Sequence, residues 1–142
     1  MANKTAGKTG REGYTLIEML CVIAIVTILA TMGLPRFALA LQKTKTATVQ
    51  ENLAQMRTAL NIYASDAGAY PQSLSALTND YMPVVPVAQV PLHADSNAIA
   101  IESTPSDAGG WSYNNTPGDP RYGMLVINCT HTDVNGQSWS SY

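Results

Sequence analysis

Glu18 is the one charge inside an otherwise apolar run, residues 14–34, and a carboxylate in that setting needs a partner. At the middle of a bilayer it costs about 2.5–3.5 kcal/mol, and less near the interface. Four residues earlier stands Tyr14, preceded by Gly13. A cut between Gly13 and Tyr14 would create a cationic amine on Tyr14, with Glu18 on the same helix face. In a packed assembly Glu18 then neutralises the amine of a neighbouring subunit and sets the register between helices, as buried polar groups do in coiled coils. The plainer alternative leaves Glu18 at headgroup level, where its charge stays hydrated.

Other chemistry-bearing residues are sparse. His93 and His131 are far apart in sequence and read as isolated loop or strand residues rather than catalysts. No nucleophile–base arrangement, phosphate loop or zinc spacing stands out, so the sequence points away from an enzyme. Cys21 lies in the apolar run and Cys129 near the C-terminal end, which suggests two small buried residues and no disulfide between them. Asp133-Val134-Asn135-Gly136 looks like half a calcium loop, and equally like a hairpin turn at Asn135-Gly136. Trp111, Tyr113, Tyr122, Trp139 and Tyr142 read as core or subunit-contact aromatics in preference to a binding surface.

These residues are placed by a long apolar segment and a polar remainder. Residues 14–34 would span roughly 31 Å as a helix, which matches the hydrocarbon thickness of a bilayer. Residues 1–13 carry Lys4, Lys8 and Arg11 against Glu12, a net of +2, while the remainder carries five basic and nine acidic side chains, a net of −4. A basic leader before an apolar run resembles an export signal, and nothing suggests a nucleic-acid surface. Lys/Arg counting does not orient the segment, because Arg36, Lys43 and Lys45 balance the leader. The folded C-terminal hundred residues favour a cytoplasmic N-terminus. A rival reading uses Ala38-Leu39-Ala40 as an ordinary signal cleavage site, which would release residues 41–142 as a soluble secreted binding protein. The apolar run is longer than the usual h-region of about 7–15 residues, which counts against it. A membrane-tethered hydrolase has no supporting residues.

Gly13-Tyr14-Thr15-Leu16-Ile17-Glu18, after a short basic leader and before about twenty apolar residues, resembles the prepilin cleavage and methylation motif of type IV pilins and type II secretion pseudopilins. The resemblance implies that a prepilin peptidase cuts after Gly13 and that Tyr14, where the family usually has Phe, is N-methylated. It also assigns assembly roles to Glu18 and to Pro35, the family's helix-distorting proline. Pro35 has no amide hydrogen and clashes with the preceding turn, so the helix bends or melts locally there. Implied partners are sister subunits in a homo-oligomeric filament, the inner-membrane assembly platform, minor pilins or pseudopilins, and membrane lipid before assembly. The implied location is the bacterial inner membrane, with the head periplasmic, and then a periplasmic pseudopilus or a surface pilus. Several major pseudopilins bind calcium in a C-terminal loop, which is the source of interest in Asp133 and Asn135, although the fuller acidic cluster of those loops is missing here.

Beyond Pro35 the pattern turns amphipathic. Val49, Leu53, Met56, Leu60, Tyr63 and Ala67 fall on one helix face, and Gly68 is placed to cap the helix. Arg57-x-Ala59-Leu60-x-x-Tyr63-x-x-Asp66-x-Gly68-x-Tyr70-Pro71 resembles the region after the helix in major pseudopilins and related pilins. Together with residues 73–77 it tilts the reading towards a secretion pseudopilus, with an adhesion, motility or DNA-uptake pilus as runner-up. Residues 73–77 suggest a short helix packing Leu74 and Leu77, and residues 81–96, with three prolines, an irregular loop. Strands are expected at 98–102, 111–113 and 123–129, with 138–141 as an edge. The expected fold is α+β. Residues 14–34 form a membrane or filament-core helix and 35–68 its amphipathic continuation, packed on a small antiparallel sheet in a head of residues 69–142.

Overall fold

The structure, a computed structural model, describes residues 13–142. The leader, with Lys4, Lys8, Arg11 and Glu12, lies outside the described residues. The chain forms two units, the first ending at Leu39 and the second running Ala40–Tyr142. One helix, α1 (Leu16–Ala67), contributes to both.

In the first unit the large apolar side chains of α1 are exposed, among them Leu16, Ile17, Ile23, Val26, Leu29 and Leu34. The segment is long and apolar enough to cross a membrane, with a mean hydropathy of 2.4 over its most apolar window. The backbone stays helical through Gly33 and Pro35. Because Pro35 has no amide hydrogen, the Thr31 carbonyl receives no helical donor from it.

In the second unit the helix is one-sided, as its spacing suggests. Val49, Leu53, Met56 and Leu60 are buried and Tyr63 is half-buried, whereas Ala67 is exposed. Ala59, outside the expected stripe, joins the core. Gly68 ends the helix at φ +74, its amide donating to the Ala64 carbonyl at 2.9 Å. A 3-10 turn, Leu74–Leu77, follows, its start capped by the Ser73 hydroxyl and its two leucines buried.

The sheet has strands β1 (Ile99–Ile101), β2 (Trp111–Tyr113) and β3 (Leu125–Ile127), in the order β1-β2-β3. The α+β class is as expected, but the sheet is mixed. β2 and β3 pair antiparallel, whereas β1 and β2 pair in parallel, with Ile99 opposite Trp111. The cause is the connection 102–110, which carries the chain back to the start of β1. It needs Asp107, Gly109 and Gly110 at positive φ. A Cβ on Gly110 would collide with the Ala98 carbonyl oxygen, so only glycine fits this crossing.

The expected edge at 138–141 is instead a 3-10 turn, Trp139–Ser141, which buries the Trp139 ring in the core. The chain there makes only the single bridge Thr132–Ser138 before turning inward. The proline-bearing loop 81–96 is irregular, yet it supplies Val85, Ala88 and Val90 to the core, and its Pro86 carbonyl accepts the Trp111 indole N–H at 2.8 Å.

Candidate functional site

Helix α1 opens on a reciprocal hydrogen-bonded start. The Thr15 amide donates to Glu18 Oε2 at 2.9 Å, and the Thr15 hydroxyl donates to the same oxygen at 3.2 Å. In return the Glu18 amide donates to Thr15 Oγ1 at 3.2 Å. This is a capping box, with Thr15 as the N-cap and Glu18 three residues on. A negative charge in the first helical turn is also favoured by the helix dipole. The Thr15-x-x-Glu18 spacing carries this signal in the sequence, beside the membrane and assembly readings of Glu18. Tyr14, just outside the helix, is 78 % exposed. A side chain added at Gly13 would meet no atom within 4 Å, so nothing in the fold demands glycine there.

The Arg57–Pro71 segment forms the last turns of α1 and the chain just beyond it. Arg57 reaches across to the C-terminal part of the chain. Its Nε and Nη2 donate to the Leu125 carbonyl at 3.0 and 2.8 Å, and Nη2 also donates to the Tyr142 main-chain oxygen at 2.6 Å. Burial lowers the pKa of its guanidinium. The Tyr81 hydroxyl donates to Asp66, and the Tyr81 ring packs edge-on against Tyr63. Tyr70 packs edge-on against Tyr122. The Tyr113 hydroxyl donates to the Pro71 carbonyl at 2.8 Å, and burial pushes its pKa well up. Trp111, Tyr113 and Trp139 lie in the core, while Tyr122 and Tyr142 are half-buried.

Asp133 and Asn135 do come together. Asp133 Oδ1 accepts the amides of Asn135 and Gln137 at 2.8 and 2.9 Å. Its Oδ2 accepts the Asn135 side-chain amide and the Tyr142 hydroxyl. The Tyr142 hydroxyl, followed by the backbone amides, holds the Asp133 carboxyl below the usual carboxylate range. The arrangement is a carboxylate closing the Asn135-Gly136 turn, with Gly136 at φ +82. A hard cation would need six or more oxygens.

His93 and His131 are not isolated. Their ring centroids are 5.3 Å apart, and both rings face Asp107, with Cys129 alongside. Three separate loops bring these residues together, which is why their sequence positions give no hint of it.

A family model described as the prokaryotic N-terminal methylation motif matches residues 8–34. The chain is similar to a type IV major fimbrial protein FimA of Dichelobacter nodosus, 27 % identical over 120 residues, covering 84 % of this chain and 62 % of that protein. Another FimA from the same organism is 34 % identical over 59 residues, covering 42 % of this chain and 38 % of the relative. A type IV major alpha-pilin of Moraxella bovis is 41 % identical over 51 residues, covering 36 % of this chain and 32 % of that protein. The chain thus spans about a third to three-fifths of the length of these relatives. No solved structure matches it significantly.

A match to the N-terminal methylation motif at the start of a long apolar helix, followed in the chain by a small domain with a three-stranded sheet, is what this chain presents. The chain carries this motif and is similar to type IV fimbrial and pilin proteins.

Proposed function

We propose that this chain is a structural subunit of a type IV filament machine, cut after Gly13, N-methylated on Tyr14 and assembled through its apolar helix. The observation that carries the reading is the Gly13–Tyr14 junction, one residue ahead of a capped helix whose first-unit apolar side chains find no cover among the described residues. Gly13 has open space around it, so its glycine is better explained by an external peptidase than by packing. The role is structural, not catalytic. Before assembly the helix is held in the inner membrane with its N-terminus cytoplasmic and the head periplasmic. Burial among sister helices then replaces lipid, and the assembly platform and minor subunits set the order of addition.

Two finer readings have separate support. The curated relatives are fimbrial proteins, which favours a surface pilus. The resemblance of residues 57–77 to major pseudopilins favours the pseudopilus of a type II secretion system. A strain lacking the gene, complemented with the natural chain or with Gly13→Ala, tests both. Loss of surface fibres with secretion intact means a pilus, and loss of secreted protein with fibres intact means a pseudopilus. Full complementation by Gly13→Ala, with Tyr14 never becoming an N-terminus, would contradict the filament reading itself.

A further inference from the structure

His93, Asp107, Cys129 and His131 offer ligand atoms that all lie within 4.8 Å of one another. His93 Nε2 and His131 Nδ1 each stand 3.4 Å from Asp107 Oδ1, and Cys129 Sγ stands 3.5 Å from His131 Nδ1. Zinc bonds of about 2.0–2.3 Å in tetrahedral geometry require ligand atoms roughly 3.3–3.7 Å apart. Three edges of such a tetrahedron are therefore already at length. His93 Nε2 is buried and makes no hydrogen bond among the described residues, although it faces the cluster. An unmade bond on a buried ring nitrogen is costly unless something fills that position.

We propose that these four side chains form a tetrahedral zinc(II) site that staples the head domain. The ligand types select the metal, since thiolate and imidazole suit zinc and are poor ligands for calcium or magnesium. Charge also balances. Cys129 binds as thiolate, releasing its proton to solvent, and with the Asp107 carboxylate it neutralises the two charges of the ion.

The surroundings fix the ligands. Asp107 Oδ1 accepts the Thr130 amide at 2.7 Å, and the Asp107 amide donates to the buried Asn128 side chain at 2.9 Å. The Trp139 amide donates to the His131 carbonyl at 3.0 Å. Leu92 and Asp107 take positive φ, +69 and +65, a conformation side chains avoid unless the structure gains from it. Gly109 lets the backbone come close to His93, since a Cβ there would sit 3.0 Å from the His93 Cβ.

The same residues could be read as a cysteine nucleophile with its base. Cys129 is fully buried, however, and that burial raises its pKa, the reverse of an activated thiol. A staple has a clear use. The site ties loop 81–96, the connection 102–110 and the segment after β3 together, in a head whose strands are three residues long and whose one cysteine is free.

The test uses the full chain, purified in detergent without a polyhistidine tag, stripped with chelator and titrated with cobalt(II), zinc(II) and calcium(II). One equivalent of cobalt should produce a sulfur-to-cobalt charge-transfer band and the absorption of a tetrahedral ion, both removed by one equivalent of zinc. Zinc should raise the melting temperature by about 5–10 °C, and calcium should not. Cys129→Ser should abolish the charge-transfer band and weaken zinc binding at least about tenfold, while His131→Cys should keep a four-ligand site with a stronger band. Should Cys129→Ser fail to fold, the wild-type titration and His131→Cys still decide. Wild-type protein that binds no stoichiometric cobalt, a band that survives Cys129→Ser, or a calcium shift equal to that of zinc would overturn the proposal.

Discussion

The Glu18 carboxylate accepts from both the amide and the hydroxyl of Thr15, so its charge is engaged by its own helix start before any neighbour arrives. The proposed assembly role would be a second one for this side chain, and two substitutions separate it from the cap. Glutamine can serve in a capping box but carries no charge, whereas alanine does neither. Glu18→Ala should fray the first turn of the helix, at a cost of about 1 kcal/mol, and stop filament assembly. Glu18→Gln should keep the first turn, read as unchanged amide exchange at Leu16–Met19, and still stop assembly. Normal filaments from Glu18→Gln would show that only the cap matters. Asp133 makes a second prediction at this scale. Its carboxyl titrates below its usual value because the charged form receives hydrogen bonds from Tyr142 and the turn amides. A depressed carboxylate contributes stability that is fully present above the unfolded value of about 3.9 and is lost as pH falls through the folded value. Unfolding midpoints should therefore drop more steeply below about pH 4 in the natural chain than in Asp133→Asn, and parallel acid profiles would refute this.

The second-unit part of α1 was legible because its periodicity reports burial directly, and Val49, Leu53, Met56 and Leu60 fall where the spacing puts them. The strands at 99–101, 111–113 and 125–127 were legible from weak alternation, a preceding glycine pair and an apolar run, and the last two are buried throughout. The parallel pairing of β1 with β2 was not. Gly109-Gly110 reads as a turn, but the sequence does not say that the preceding loop has already reversed the chain. Residues 138–141 are expected as an edge strand, but the chain there takes a 3-10 turn that buries Trp139 in the core. Arg57 opens the segment that resembles major pseudopilins, but its contacts are not legible in the sequence, since its partners are 68 and 85 positions away. It is the polar tie between the helix and the C-terminal part of the second unit. Arg57→Met should cost about 2–3 kcal/mol in urea unfolding of the full chain, with Arg57→Lys recovering only part of it, because an ammonium cannot match the forked contact. A loss below about 0.5 kcal/mol would mean the contact is incidental.

For the whole molecule, each unit has its own physical logic. In the second, about 75 residues beyond Gly68 are too few to close a core alone, and α1 supplies five of its buried side chains. In the first, an apolar helix surface is exposed among the described residues. The N-terminal methylation motif was the most legible feature because it is a contiguous stretch of local sequence, residues 8–34, that needs no fold to be read. The histidine–cysteine cluster was the least legible, since its four members meet only through the fold. The most direct test of the filament-subunit reading is the N-terminus of the mature protein, measured by mass spectrometry on chain recovered from its native membrane and filament fractions. The expected result is a chain beginning at N-methylated Tyr14. A chain beginning at Leu41, or one that keeps its leader while assembling normally, would contradict it.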